Sequence, residues 1–357
     1  MKPVFLRNAQ GRPCICKSPL IGSLYLAVPP ERTIDNRVLC ESEVVSRHLT
    51  DTKMMRTKSQ SPSFISCAFF ICSLGLAALP MAGCGRETEG RVEIKDKSYS
   101  YSVYATDKDG FDAPDGLLWR EGKLYIADEG GPAFRIWRKE GVRTLSTAAD
   151  GIESPEDFVV DTDGSIYFTD DDAGGVWKID TEGKTAVLAG KQKGLVSTEG
   201  IAMSQSGDLL VGEGASGRIF AVTRKGVVSV FLGAEGGVRK PESMAYDETG
   251  NLFVADNEER VLYLLSPEKK LRALVRDREG FSPESISYAD GGLYITDSDH
   301  GRLFRYDDKS GLREIAEMSG IYFKAAGVTT DRAGNIFVSI QTHIDDKHSY
   351  ILKFTKN

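Results

Sequence analysis

Five carboxylates recur at a constant spacing along the chain and could meet at one site. They open short apolar runs at intervals of 41 to 43 residues: Asp115, Glu156, Glu199, Glu242 and Glu284. Carboxylates that lie close together repel one another, so such a group must bind a cation, recruit arginine or lysine, or raise the pKa of some members. Calcium suits the first alternative, because it takes six to eight oxygen ligands. The pattern predicts a divalent-metal site formed by all five acids, with Ca2+ as the expected ion.

Local ion pairing is the competing interpretation of the same five acids. Arg239 and Lys240 lie just before Glu242, and Lys324 lies just before Ala326, which takes the sixth place in the series. In this interpretation the carboxylates pair with these cations or cap loops, and the channel contains only water.

A second acidic series ends a strand in each repeat, and we expect it to be structural. Its members are Asp128, Asp170, Glu213, Asp256 and Asp297, with Ile340 in the sixth place. An aspartate at a turn accepts backbone hydrogen bonds and often pairs with an arginine that opens the next strand. The arginines at that place are Arg135, Arg218, Arg260 and Arg302. His300 falls in the same turn and is expected to be a turn residue, not a catalyst.

Both series belong to a repeat of about 42 residues, present six times after Gly110. Each unit has a short apolar run, a glycine turn, an alternating strand such as KLYIAD or NLFVAD, and two further strands. Four antiparallel strands per repeat, without helical periodicity, indicate a β-propeller blade. We therefore predict an all-β, six-bladed propeller. Its five acids of the first series lie where each innermost strand begins and face one mouth of the central channel.

The last repeat ends after its third strand, at Asn357, so one strand is missing. The run SYSYSVYAT, residues 98–106, precedes the first repeat and has the alternating pattern of a strand. We predict that it completes the sixth blade beside residues 350–354, which closes the ring and hides strand edges.

The segment before the repeats has the pattern of an export signal. Residues 54–83 contain a basic start and an apolar stretch and lead into Met81-Ala82-Gly83-Cys84, which resembles the lipobox of bacterial lipoproteins. An uncleaved anchor helix and ordinary signal cleavage are the alternatives, and all three export the rest. Residues 1–53 are then a leader from an upstream start codon, 84–97 a charged tether and 98–357 the propeller. We expect a lipid-anchored protein of the cell envelope, attached through Cys84.

The cysteine positions and the net charge exclude some classes of scaffold and partner. All six cysteines fall at or before Cys84, which excludes a disulfide-stapled scaffold. The net charge is -7 for the chain and -12 for residues 84–357, which disfavours nucleic acid. We expect a monomer that meets a small-molecule substrate or an envelope protein partner. The chain has no GxSxG, HExxH or glycine-rich phosphate loop.

Short phrases of the sequence resemble two known families. LYIADEGGPAFRI, LFVADNEERVL and LYITDSDHGRL resemble the NHL repeat. The phrases PDGL, TEGI and PES, each followed by an apolar strand, a turn and LYIAD or LYITD, are similar to the SMP-30/gluconolactonase/luciferin-regenerating-enzyme group of six-bladed propellers. In that group the metal ligands come from the strand-entry position. Asp115 and Glu199 match it best, and Glu156, Glu242 and Glu284 are equivalent in position.

The resemblance implies a metal-dependent hydrolase acting on a lactone or related ester. The metal would polarise the carbonyl, and a carboxylate, Asp115 or Glu199, would activate water. The alternative is a non-catalytic, NHL-type binding or scaffold propeller of the cell envelope. An open mouth with a shared metal would favour the enzyme, and a mouth filled by side chains would favour the binding module.

Overall fold

The structure is a computed structural model that describes residues 6–7, 13–14, 90–276, 280–320, 324–341 and 348–357. The chain divides into two compact units, residues 1–79 and 80–357. In the first, Leu6–Arg7 (β1) pairs antiparallel with Pro13–Cys14 (β2). The predicted signal peptide and Cys84 lie outside the described residues. Among the residues that are described, no helix has the length and apolar character needed to cross a membrane.

The regular secondary structure described in the second unit is almost all strand, arranged as six antiparallel sheets. Two strands precede the repeats, Gly90–Ile94 (β3) and Tyr99–Thr106 (β4). The first three blades comprise Pro114–Arg120 (β5), Lys123–Asp128 (β6), Ala133–Arg138 (β7), Gly141–Thr147 (β8); Pro155–Val160 (β9), Ile166–Asp170 (β10), Val176–Ile179 (β11), Thr185–Ala189 (β12); and Thr198–Met203 (β13), Leu209–Glu213 (β14), Arg218–Val222 (β15), Val228–Leu232 (β16).

The other three blades repeat the pattern, with strands Pro241–Tyr246 (β17), Leu252–Asp256 (β18), Val261–Leu265 (β19), Leu271–Val275 (β20); Pro283–Ala289 (β21), Gly292–Asp297 (β22), Arg302–Asp307 (β23), Gly311–Gly320 (β24); and Lys324–Thr330 (β25), Ile336–Gln341 (β26), Tyr350–Lys356 (β27). Single 3-10 turns lie at Asp107–Asp109, Ala148–Asp150, Lys191–Lys193 and Ala234–Gly236. The predicted all-β, six-bladed propeller is confirmed.

The first strands of the six blades form a closed ring. Each contacts the first strand of the next blade, and β25 contacts β5 to complete the circle. Glycines permit this close approach: a Cβ on Gly116 would lie 2.3 Å from the carbonyl oxygen of Glu156 in the next blade. Strand β4 pairs with β27, with Thr106 opposite Tyr350 and Tyr101 opposite Phe354. The predicted closure of the sixth blade by residues 98–106 is therefore confirmed.

Apolar side chains fill the spaces between adjacent blades. Between blades one and two, the ring centroid of Phe134 lies 4.6 Å from that of Phe158 and 5.2 Å from that of Phe168. At the closing junction, Trp119 of blade one stacks on Phe337 of blade six with centroids 4.6 Å apart. Burial of large aromatic rings is a main source of stability in such a core, and here it holds the ring shut.

The structure differs from the predicted tether at strand β3. Residues 84–97 were expected to form a solvated linker, but residues 90–94 pair antiparallel with the second half of β24 as a fifth strand of blade five. Val92 and Ile94 alternate with exposed neighbours and pack against a core cluster. Two apolar side chains in a charged segment are too few to predict a strand from the sequence. Strand β24 is nevertheless long enough for its second half to pair with residues 90–94.

Candidate functional site: an acidic channel mouth

The backbone is irregular at every position of the first acidic series. In all six blades the pairing of the first and second strands shifts register there, as between Pro114 and Leu117 in blade one. A β-bulge releases a residue from the ladder and re-aims its side chain. The bulges therefore turn the acids out of the sheets and toward the channel.

The five acids meet as predicted, and we call this group the acidic mouth: Asp115, Glu156, Glu199, Glu242 and Glu284. Four of them line one central cavity, and the side chain of Glu199 joins them through a shared contact with Lys240. The cavity leaves space for water of about 20 Å³, which is room for about one molecule.

Two lysines lie among the carboxylates. The Nζ of Lys240 is 3.4 Å from Oε1 of Glu199 and 2.8 Å from Oε2 of Glu242. The Nζ of Lys324 is 3.3 Å from Oε1 of Glu284. The pairing of the acids with Lys240 and Lys324 is confirmed, whereas Arg239 contacts Glu259 instead, at 3.6 Å.

Burial and crowding shift the pKa values of several mouth residues. Burial raises the pKa of Glu199 to about 7, against the opposing attraction of Lys240. Burial, followed by the charge of Asp115, raises the pKa of Glu156 well above its usual range. Burial also raises the pKa of Glu242, with Glu284 and Glu199 adding to the effect. Burial and crowding thus favour the protonated forms of these three carboxyl groups.

The lysines keep their charge in this setting. Burial works against the ammonium of Lys240, but the carboxylates of Glu242 and Glu199 outweigh it and raise the pKa. Burial likewise opposes the charge of Lys324, and Asp115 and Glu284 overcome it, so its pKa is also raised. Both side chains are cations at physiological pH.

A further polar series borders the mouth and was missed in the sequence. It follows the second acidic series by one residue and comprises Glu129, Asp171, Asn257, Ser298 and Gln341, with Gly214 in the third blade. Asn257 Nδ2 donates to Oε2 of Glu284 at 2.8 Å, and Gln341 Nε2 donates to Oδ1 of Asp115 at 3.3 Å. Its signal in the sequence was a polar residue directly after the second acidic series in five of the six repeats.

One residue deeper, the channel carries hydrogen bonds between blades. Oδ2 of Asp157 accepts from the backbone N–H of Ile201 at 3.3 Å, and Oγ of Ser243 accepts from that of Ile286 at 3.2 Å. Burial raises the pKa of Asp157 to about 7, although hydrogen bonds from the backbone N–H groups of Phe158 and Ile201 lower it. Asp157 therefore links blades two and three at the cost of a buried carboxyl.

The second acidic series is structural, as expected. Oδ1 of Asp128 accepts from the backbone N–H of Ala113 at 2.8 Å, and Oδ2 lies 2.6 Å from Nε of Arg135. Asp297 pairs with Arg302 at 2.9 Å and accepts from the backbone N–H of His300, which is a turn residue. Arg260 departs from the pattern. It pairs with Asp299 at 2.8 Å, in the next blade.

The arrangement of donors does not fit a divalent cation. Among the residues the structure describes, no group of three or more His, Cys, Asp or Glu side chains is placed to hold a metal. Ammonium groups contact three of the five carboxylates that an ion would need, those of Glu199, Glu242 and Glu284. Ca2+ as the ion, with the five acids as its ligands, stays a prediction from the sequence that this arrangement does not support.

Comparison with known proteins supports the fold. A family model described as strictosidine synthase-like, N-terminal, matches residues 143–179. No curated protein matches the chain significantly. Solved six-bladed propellers are similar over most of its length, which confirms the predicted resemblance to propellers of the gluconolactonase type at the level of the fold.

Three of these solved structures match this chain over nearly all of their own length. A putative gluconolactonase is 11% identical over 72% of this chain and 92% of its own, with a TM-score of 0.56. The calcium-binding protein regucalcin from Agrobacterium tumefaciens is 16% identical over 68% and 90%, with a TM-score of 0.55. Virginiamycin B lyase from Staphylococcus aureus is 14% identical over 72% and 99%, with a TM-score of 0.51.

Proposed function

We propose that the propeller hydrolyses a lactone or related ester at the acidic mouth. The observation that carries this is a buried carboxylate beside a cation at the channel opening. Glu199, whose side chain is 4% exposed, lies 3.4 Å from the ammonium of Lys240, whose side chain is 37% exposed. A base and a positive charge so placed are the two groups that addition of water to a carbonyl requires.

Glu199 acts as the general base in this scheme. Its carboxylate takes a proton from a water molecule as the water oxygen adds to the carbonyl carbon, and the carbonyl oxygen becomes an alkoxide. With a pKa near 7, Glu199 is matched to proton transfer at neutral pH. When the tetrahedral intermediate collapses, the bond to the leaving oxygen breaks and protonated Glu199 returns the proton to it. A lactone then gives a hydroxy acid, and an ester gives an acid and an alcohol.

Lys240 supplies the electrostatic stabilisation. Its ammonium faces the mouth and stays protonated, because its pKa is raised by the adjacent carboxylates. A fixed positive charge near the developing alkoxide lowers the energy of the transition state. Asp115, the other predicted catalytic acid, accepts a hydrogen bond from Nε2 of Gln341 at 3.3 Å, and in this proposal it also accepts one from a hydroxyl group of the substrate.

The shared fold of a putative gluconolactonase supports the choice of a lactone. The regucalcin neighbour is a calcium-binding protein, which supports calcium as an addition to test. The steps above use no metal, because Lys240 and Lys324 contact carboxylates that a metal would need as ligands. The experiment below is therefore run in EDTA and again with added Ca2+.

A non-catalytic binding module is the second candidate, favoured by one observation. The cavity lined by four of the acids leaves space for water of only about 20 Å³. A mouth with so little room could bind an envelope protein or a small ligand without chemistry. Such a module would bind its ligand unchanged, and substitution of Glu199 would alter affinity alone.

We also propose export and attachment to a membrane through Cys84, on the basis of the lipobox. Mass spectrometry of the protein from a bacterial host should find a diacylglyceryl-modified N-terminus at Cys84. The Cys84→Ala variant should lack it and leave the membrane fraction. A mature N-terminus elsewhere, without lipid, would contradict the anchor.

The enzymatic proposal is tested with a panel of aliphatic lactones and aryl esters. Initial rates above spontaneous hydrolysis are measured for the wild type, Glu199→Gln and the matched control Glu140→Gln, which changes an exposed glutamate of a blade-one turn. We expect Glu199→Gln to lower kcat by roughly 100-fold or more, with Glu140→Gln unchanged. Equal rates for all three would overturn the assignment.

A further inference from the structure

The two mouth lysines occupy the same position in two different blades. Lys240 lies two residues before Glu242 in blade four, and Lys324 lies two residues before Ala326 in blade six. The other four blades have Ala113, Ser154, Ser197 and Ser282 at that position. The lysines are therefore equivalent substitutions within the repeat, and both side chains reach the same mouth.

Each lysine is positioned by its own blade and contacts carboxylates of another. The backbone N–H of Lys240 donates to Oδ1 of Asp256 at 3.2 Å, which fixes the start of its strand. Its side chain then reaches Glu242 in the same blade and Glu199 in blade three. Lys324 reaches Glu284 in blade five, from the one blade whose mouth position carries no acid.

The charges of the two lysines equal that of a divalent ion. The electric fields of Asp115, Glu284, Glu129 and Glu156 all act on Lys324. Those of Glu242, Glu199 and Glu284 act on Lys240. Both ammonium groups thus lie within the acidic mouth, 2.8 to 3.4 Å from carboxylate oxygens of Glu199, Glu242 and Glu284.

We propose that Lys240 and Lys324 take the place of a divalent cation at the acidic mouth, so that the mouth needs no metal. A divalent ion is excluded because it would meet two fixed positive charges and lose its carboxylate ligands to them. Removal of both lysines frees the carboxyl groups of Glu199, Glu242 and Glu284 from their ion pairs, and such oxygen atoms are the ligands that calcium takes. The proposal does not depend on catalysis, because it concerns binding of the ion alone.

The test is titration of the full-length protein with CaCl2 by calorimetry, together with melting in EDTA and in CaCl2. We expect no binding by the wild type and an unchanged Tm. The double variant Lys240→Met, Lys324→Met should bind Ca2+ with a Kd of about 1 mM or tighter and melt at a higher temperature in CaCl2. The matched control Lys139→Met, Lys184→Met removes two exposed lysines and should behave like the wild type.

Several outcomes would overturn the proposal. Calcium binding by the wild type at the affinity of the double variant would show that the lysines do not exclude the ion. A folded double variant that gains no affinity would show that the carboxylates cannot form a cation site. If the double variant fails to fold in EDTA, each single variant is titrated instead, and neither gaining affinity would equally contradict the proposal. Calcium that restores folding of the double variant would support it.

Discussion

The ammonium of Lys240 lies 3.4 Å from Oε1 of Glu199, across the boundary between blades four and three. Lys240 lowers the pKa of Glu199, while burial and the charges of Asp171 and Glu284 raise it, and the balance is a pKa of about 7. Glu242 contacts the same ammonium at 2.8 Å. The protonation of Glu199 near neutral pH therefore depends on one cation shared by two carboxylates.

Removal of that cation should shift the pH dependence of hydrolysis. A general base works in its deprotonated form, so kcat/KM of the wild type should rise with pH through about 7. In Lys240→Met the pKa of Glu199 loses its lowering influence, and the rise should move to higher pH with a lower plateau. Full pH profiles of both proteins, with Lys139→Met as the control, check this. A rise at the same pH in all three would contradict the assignment.

Stability should fall as the pH rises from about 4 to 7, and Asp157 should cause part of the fall. Its pKa is raised from 3.8 to about 7, so the folded state holds a proton that the unfolded state releases. The stabilisation is complete below the unfolded pKa and is lost as the pH passes the folded pKa. At 1.36 kcal/mol per unit this amounts to about 4 kcal/mol.

Asp157→Asn removes this proton while keeping an oxygen that can accept from Ile201. We expect the dependence of unfolding free energy on pH to flatten between pH 4 and 7, measured by urea unfolding at a series of pH values. Asp163→Asn, which alters an exposed turn aspartate, serves as the control. A variant with the slope of the wild type would show that Asp157 is ionised throughout this range.

The second acidic series should matter for stability and not for catalysis. Arg135 pairs with Asp128, whose side chain is fully buried and also holds the backbone of Ala113. Arg135→Leu leaves that carboxylate without its partner, which should cost about 3 kcal/mol of unfolding free energy. Arg138→Leu removes an exposed arginine of the same strand and should cost little. Urea unfolding of both variants decides, and equal effects would contradict a structural role.

Strand β3 should contribute to the stability of blade five. Ile94→Asp would place a charge among the apolar side chains of the core cluster it packs against, at a cost of about 2 kcal/mol. Arg91→Asp changes an exposed neighbour in the same strand and should have little effect. Thermal melting of both variants measures the difference. No difference would indicate that residues 90–94 behave as the tether that the sequence predicted.

Most of the fold was predictable from the repeat, because each blade forms from contacts that recur every 42 residues. The closing strand was predictable for the same reason, since the last repeat lacks a strand and residues 98–106 match it. Strand β3 was not, because its pairing with β24 has no counterpart in the other blades. A contact made once in the molecule leaves no periodic signal.

The site was predictable in its position and only partly in its composition. The five acids could be placed at one mouth because their spacing follows the repeat. Which cations neutralise them depends on the reach of Lys240 and Lys324, and the sequence left pairing and metal binding as open alternatives. Asn257 and Gln341 were missed because Asn257 lies just after β18 and Gln341 ends β26, and only the bulges of the first strands bring the acids into contact with them.

The central claim, hydrolysis at the acidic mouth with Glu199 as the base, is tested most directly by one measurement. The rate of lactone or ester hydrolysis by the wild type and by Glu199→Gln is followed in EDTA between pH 5 and 9. The account predicts activity in EDTA that rises through about pH 7 in the wild type and is nearly abolished in Glu199→Gln. Absence of hydrolysis across the panel, or activity in Glu199→Gln equal to that of the wild type, would contradict it.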